Sequence, residues 1–240
     1  MQKTRKKREA KGTQTGPRGR EKADAERKVR KHSNNSLEAL MGAALELFWE
    51  KGFGETTLAE VIARAKVHPG SLYHYFKTKE ELLIGALERL SEMLYPALLA
   101  PAWEKIEDPI ERIFALLGRY RQAILATNFA YGCPVGRLAV EISPGMVDAH
   151  GKIAANFEGW SRAVRECLVA AGDRLPSGTD LTALSRFVLT VMEGGVMQAR
   201  SYRSIEPFDQ SVAQLREYID RLMKEAVAEG GNYWKSGLKK

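Results

Sequence analysis

The sequence predicts an all-α chain of about nine helices, a three-helix head followed by a larger helical body. Three observations predict it. Apolar residues recur every three or four positions from Ser36 onward, Thr-x-x-Glu boxes open two segments, and no stretch alternates with the period of a strand. At 240 residues and 44% hydrophobic, the chain has enough apolar surface for one large core or two modest ones.

Residues 1–35 carry 13 Lys or Arg against 4 Asp or Glu, and the rest carries 24 against 26, so the formal +7 belongs to the N-terminal stretch. From Lys3 to Asn35 there is one valine and no other large apolar residue, too little to offset chain entropy. A disordered basic arm is expected, either laid on DNA phosphates or serving as a solvated leader.

Leu37, Leu40, Met41, Ala44, Leu45 and Phe48 form the apolar face of a first helix, Ser36 to Lys51, which Gly52 ends. Thr57 with Glu60 caps a short second helix through Ala65. A break over Lys66 to Pro69 precedes a short segment, Gly70 to Phe76, and Thr78 with Glu81 opens a fourth helix through Leu90. Pro96, Pro101 and Pro109 bend or end it, and a new helix starts near Asp108 with Ile110, Ile113, Leu117 and Ile124 on one face. Further helices are expected over 133–141, 146–171, 180–202 and 207–228. The last has heptad spacing through Phe208, Val212, Leu215, Ile219, Leu222 and Ala226. The chain thus divides into an arm (1–35), a head (36–82), a helical body (83–229) and a tail (230–240).

Several function classes find no support. Cys133 and Cys167 form no C-x-x-C pair and have no histidine cluster nearby, so neither a disulfide framework nor a metal site is expected, which fits a reducing cytoplasm. No apolar run approaches a bilayer span, and residues 1–30 lack the apolar core of a signal peptide. No cofactor is implied. Glu141, Asp148 and His150 have the residue types for acid-base chemistry but sit in no phosphate loop, nucleophile elbow or zinc motif, so no enzyme is expected.

Residues 57–76 have the spacing of a helix-turn-helix, whose second helix enters a major groove. Val67, Leu72 and Phe76 would anchor that helix on Leu45, Phe48, Val61 and Ile62. His68, Ser71, Tyr73, His74 and Tyr75 would then face outward with groups able to hydrogen-bond; the alternative is that Tyr73 and Tyr75 merely pack the core.

The run TTLAEVIARAKVHPGSLYHYFKTKEELLIGALE resembles the DNA-binding domain of the TetR family of repressors, over roughly residues 36–90. The resemblance implies a phosphate contact at Thr57 and base or phosphate contacts from His68, Gly70, Ser71, Tyr73, His74 and Tyr75. Lys79 would bind phosphate. Two departures are Lys66, where the family often has glycine, and Pro69, where it often has lysine. The resemblance also implies that 180–202 and 207–228 pair into a four-helix dimer bundle, through Leu184, Val188, Val191, Gly194 and Gly195 on one helix. Val212, Leu215, Ile219 and Leu222 would serve on the other. Each glycine costs about 1 kcal/mol inside a helix, so the pair suggests a backbone passing close by. A two-fold dimer in turn predicts near-palindromic double-stranded operator DNA.

An effector pocket is expected between the middle helices. Its candidate liners are Tyr95, Trp103, Phe114, Leu117 and Tyr120, with Phe157, Trp160 and Met192, each of which also reads as ordinary core. Their aromatic weight suggests an apolar or aromatic small molecule. Residues 131–141 resemble the G-C-x-x-x-x-L-x-x-E element of a TetR-type subgroup, some of whose members respond to electrophiles or oxidants. Cys133 is therefore a candidate liner and sensor thiol: it would sit at a helix N-terminus that favours thiolate, with Arg137 one turn onward, unless it is an inert buried residue. The expected function is a repressor released from its operator by a small molecule or electrophile. The rival is a non-sensing dimeric DNA binder that acts through protein partners and lacks an enclosed cavity.

Overall fold

A computed structural model describes residues 35–237. Residues 1–34, all of the expected basic arm except Asn35, and the last three residues lie outside the described part.

The first helix, α1, spans residues 35–51 and buries Leu40, Ala43, Ala44, Leu47 and Phe48. It stops at Gly52, whose φ of +93° suits a residue without a side chain and whose N–H reaches Phe48 O at 2.9 Å. A Cβ at that position would overlap the Glu141 carboxylate. Helix α2, Leu58–Ala65, opens on the full Thr57/Glu60 box and ends on Lys66, left-handed at φ 55° and ψ 41°, whose N–H bonds Ala63 and Ile62 carbonyls. Lys66 thus adopts the turn geometry that glycine gives more cheaply. Helix α3, Pro69–Tyr75, starts with proline in its first turn, where the missing N–H costs nothing.

Helix α4, Lys79–Met93, is capped by Thr78, which accepts from Glu81 N at 3.0 Å. Glu81 reaches back past the cap to Lys77 N at 2.7 Å, so the expected reciprocal box is offset by one residue. The prolines do not end the helix at Pro96. Leu94–Leu99 winds as a π-helix into α5, Ala100–Trp103, with Ala100 N bonding Tyr95 O. The wider turn makes room for the Pro96 ring and absorbs its missing donor. Helix α6, Pro109–Ala126, begins on the Asp108 cap, and α7, Pro134–Glu141, begins on Cys133. Helices α8, Val147–Ala170, and α9, Leu181–Tyr202, follow; α10, Glu206–Gly237, runs beyond the end expected at residue 228.

Two cores hold these helices. One gathers α6, α8, α9 and α10 around Ile110, Ile113, Leu117, Trp160, Val188 and Phe208. The other gathers α1 to α4 around Phe48, Val61 and Leu72, and extends through Val135 and Leu138 of α7 to Ala149 and Ile153 of α8. Asn156, buried, donates to Leu87 O at 3.0 Å and so ties α8 to α4. The head therefore rests on the body through α7 and the start of α8. The boundary expected at residue 82 falls inside α4, whose Leu82, Leu83, Ala86 and Leu87 share one core with α1. No described helix is long and apolar enough to cross a membrane.

Candidate DNA-reading edge and effector cavity

Leu72 and Phe76 are buried and pin α3 onto α1 and α2, with Val67, Leu45 and Ile62 partly buried beside them. A seven-residue helix has no stability of its own, so this packing is what holds it. The opposite edge is open. Tyr73 is 59% exposed, His68, Gly70 and His74 are exposed, and Ser71 is half-buried. His68 caps the helix, its Nδ1 accepting from Gly70 N at 3.2 Å, so the ring's remaining nitrogen is the one turned to other partners. Tyr75 differs from the others: it is half-buried and stacks edge-on to His74, with ring centroids 4.9 Å apart.

Thr57 is exposed, but its hydroxyl is bound within the α2 cap to Glu60. Lys51, then the Thr57 backbone N–H, hold the Glu60 carboxyl down to about 2. Lys79 is tied to the loop before α2, where its ammonium donates to Gly54 O at 3.1 Å and lies 4.5 Å from the Phe53 ring centroid. Burial lowers its basicity. Lys77, exposed between α3 and α4, is a cation that the sequence reading passed over, although it stands in the K-T-K run beside the recognition segment.

The cavity lies where head meets body and is partly open to solvent. It measures about 340 Å³ and is walled by α1 (Leu45, Trp49), α4 and its π-turn (Leu90, Leu94, Leu98), α6 (Tyr120, Ile124), Tyr131 and Trp160. Of the expected liners it receives Tyr120, Cys133 and Trp160. The others lie elsewhere. Tyr95 and Trp103 border a separate groove beside α5, because the continuous π-turn carries Tyr95 to the outside, 63% exposed. Leu117 and Met192 are buried in the body core, Phe114 packs against that core under the Arg216 guanidinium, and Phe157 packs on the other core. An aromatic on a helix with two apolar faces carries no mark of which one adjoins empty space. Trp49 was the missed signal: it is a large ring off the main apolar face of α1, and its Nε1 donates to Gly132 O at 2.6 Å.

Helix α7 binds this cavity to the head. Arg137 Nη1 donates to Trp49 O at 3.4 Å, and Glu141 Oε1 accepts from Gly54 N at 3.0 Å. Arg137 thus bonds the head through its guanidinium. The Cys133 thiol faces Glu193 instead, and it is 5% exposed. Burial, reinforced by the Glu193 charge, pushes the thiol far above the ordinary cysteine range, outweighing the N–H of Gly136 at 3.5 Å. Burial also raises the Glu193 carboxyl. The thiolate expected from the helix N-terminus is thus disfavoured, and Cys133 is a neutral wall of the cavity. Cys167 is buried among body helices.

Helices α9 and α10 also divide differently from expectation. Leu184, Val188, Leu215 and Ile219 are buried inside this subunit, and Val191, Val212 and Leu222 pack against the same core. A Cβ on Gly195 would come within 2.9 Å of the Phe208 ring, so the close backbone is the start of α10 in the same chain. Gly194 has nothing within 4 Å of such a Cβ. Phe187 (45% exposed), Thr190, Gly194 and Met197 (63% exposed) follow three-four spacing along the outer face of α9. Tyr218 of α10 meets Phe187 edge-on. Among the described residues no cluster of His, Cys, Asp and Glu has the makings of a metal site.

Two family models match the chain: one described as bacterial regulatory proteins of the tetR family, over residues 40–86, and one described as the C-terminal domain of LmrA/YxaF-like transcriptional regulators, over 109–214. Among curated relatives, an uncharacterized HTH-type transcriptional regulator of Mycobacterium tuberculosis is 28% identical, the match covering 76% of this chain and 93% of the relative. The HTH-type transcriptional repressor DhaR of Mycobacterium sp. is 25% identical, over 75% of this chain and 90% of its own. Among solved structures, a TetR transcriptional regulator from Chloroflexus aurantiacus superposes with a TM-score of 0.68 at 22% identity, over 79% of this chain and 96% of that one. That likeness is one of fold.

Proposed function

The chain belongs to the TetR family of bacterial regulatory proteins, which are transcriptional regulators and not enzymes, and from that premise we propose that it is a cytoplasmic homodimeric repressor which a small molecule releases from a near-palindromic operator. The observation that carries the reading is the exposed edge of α3. His68, Ser71, Tyr73 and His74 offer hydrogen-bonding groups and one large ring to solvent, on a helix held from behind by Leu72 and Phe76. Such an edge fits a major groove, where Tyr73 and Ser71 meet base edges or a thymine methyl while Lys77 and Tyr75 approach phosphates. Repression is favoured by two relatives that are themselves repressors, DhaR and the NemR of Escherichia coli.

A dimer is favoured by the apolar stripe of Phe187, Gly194 and Met197, which a lone subunit leaves in water. The cavity favours a sensing regulator over a DNA binder that works only through protein partners, since it joins α1 to α4, α6 and α7. A ligand there acts only by preferring one placement of the heads over another. Selection of bound duplexes from random DNA by the full chain tests this reading. Enrichment of two inverted half-sites about one helical turn, or a multiple, apart is expected; failure to enrich any duplex at low salt contradicts it.

A further inference from the structure

We propose that the effector is a compact, uncharged molecule of about two fused rings that seats directly against α1 and works by prising Trp49 from the carbonyl of Gly132. The inference rests on the ligand-released reading above and specifies its site. At about 340 Å³ the cavity is roughly twice the 150 Å³ that houses a single benzene ring. Its walls are aromatic and aliphatic: Trp49, Tyr120, Tyr131, Trp160, Leu45 and Leu94. The charged lining groups are Glu46 and Arg119, opposite in sign and both exposed, so neither is a buried counter-charge. The Cys133 thiol is protonated, as burial dictates. An ionic ligand would lose its hydration without a buried partner, whereas a neutral ring bearing one hydroxyl has the Tyr131 phenol in the wall.

The site touches the head directly. Leu45, Glu46 and Trp49 lie on α1, the helix on which α3 is packed, so the ligand meets the DNA-reading unit without an intervening element. Trp49 is also the latch. Its indole N–H holds Gly132 O at 2.6 Å, its ring lies 5.1 Å from that of Tyr131, and its carbonyl receives Arg137. A ring inserted beside Trp49 and Tyr131 competes with both the stacking and the hydrogen bond. Glu46, at the cavity and bonded to Arg64 of α2 at 3.3 Å, carries the displacement onward.

The test uses 2-naphthol and 2-naphthalenesulfonate with the full chain, first without DNA and then on the selected operator. Equilibrium dialysis should show one 2-naphthol per subunit and binding of the sulfonate weaker by about tenfold or more. Ala123→Trp, which fills the cavity from an exposed position on α6, should reduce 2-naphthol binding by about tenfold, and Ala126→Trp, exposed on the same helix but outside the cavity, should leave it unchanged. Trp49→Phe keeps a ring and loses the donor; it should shrink the ratio of operator affinities without and with 2-naphthol by about threefold or more. Absence of 2-naphthol binding, equal binding of the sulfonate, or binding indifferent to Ala123→Trp overturns the site. An unchanged ratio in Trp49→Phe overturns the latch. A chain that takes up 2-naphthol as expected yet binds no duplex instead refutes the regulator reading, so the two failures are distinct.

Discussion

Tyr73 on α3 and Met197 on α9 are almost equally exposed, 59% and 63%, yet they sit on surfaces of opposite chemistry. Around Tyr73 are His68, Ser71 and His74, groups that water satisfies as well as a partner does. Around Met197 are Phe187, Gly194 and Thr190, where water gains little and a second apolar surface gains much. The first edge suits a polar, charged partner met by hydrogen bonds. The second suits another copy of the same stripe. Exposure alone does not distinguish a DNA-reading edge from a dimer face; the hydrogen-bonding capacity of the neighbours does.

Mutations at the two surfaces separate them. Leu72→Ala removes the buried anchor of α3 and should lower stability by about 3–4 kcal/mol in denaturant unfolding, with operator binding lost and the dimer retained. Loss of the dimer in the same variant would break the separation. Met197→Asp places a charge on the outer face of α9 and should weaken the dimer by about 2–3 kcal/mol in sedimentation, leaving the fold of each subunit intact. If it changes only DNA binding, the stripe is not the dimer face. Gly195→Ala should lower folding stability by about 2 kcal/mol, because the Phe208 ring and backbone leave no room for a methyl. Gly194→Ala should leave subunit stability undiminished, with any loss appearing as dependence on protein concentration. In the head, Lys66→Gly should raise stability by about 1 kcal/mol, since it relieves a left-handed residue at φ 55°.

Much of the head was legible because its signals are local. The Thr57 cap, the Gly52 stop and the inward set Val61, Leu72 and Phe76 are all decided within a few residues. Even there, Lys79 is occupied by Gly54 and Phe53, a contact made across α2 and α3 that spacing does not reveal. The body was legible as helices but not as faces. Leu184, Val188, Leu215 and Ile219 show the spacing of an interface, but they meet the subunit's own core; three-four periodicity tells that a face is apolar and not which neighbour covers it. The cavity suffered the same ambiguity, since it is bounded by α1 and the π-turn, elements brought together only by tertiary packing. Pro96 promised a break and instead lies in a π-helical turn, because the widened backbone tolerates the ring.

The central claim is that the outer edge of α3 reads bases. Its most direct test is base-by-base affinity on the selected operator for the wild-type chain and for Tyr73→Ala. The variant should lose about 1–2 kcal/mol of discrimination at one or two symmetric positions while its affinity for unrelated duplexes and its salt dependence stay the same. Uniform weakening on every duplex, or a base preference identical to that of the wild type, would contradict it.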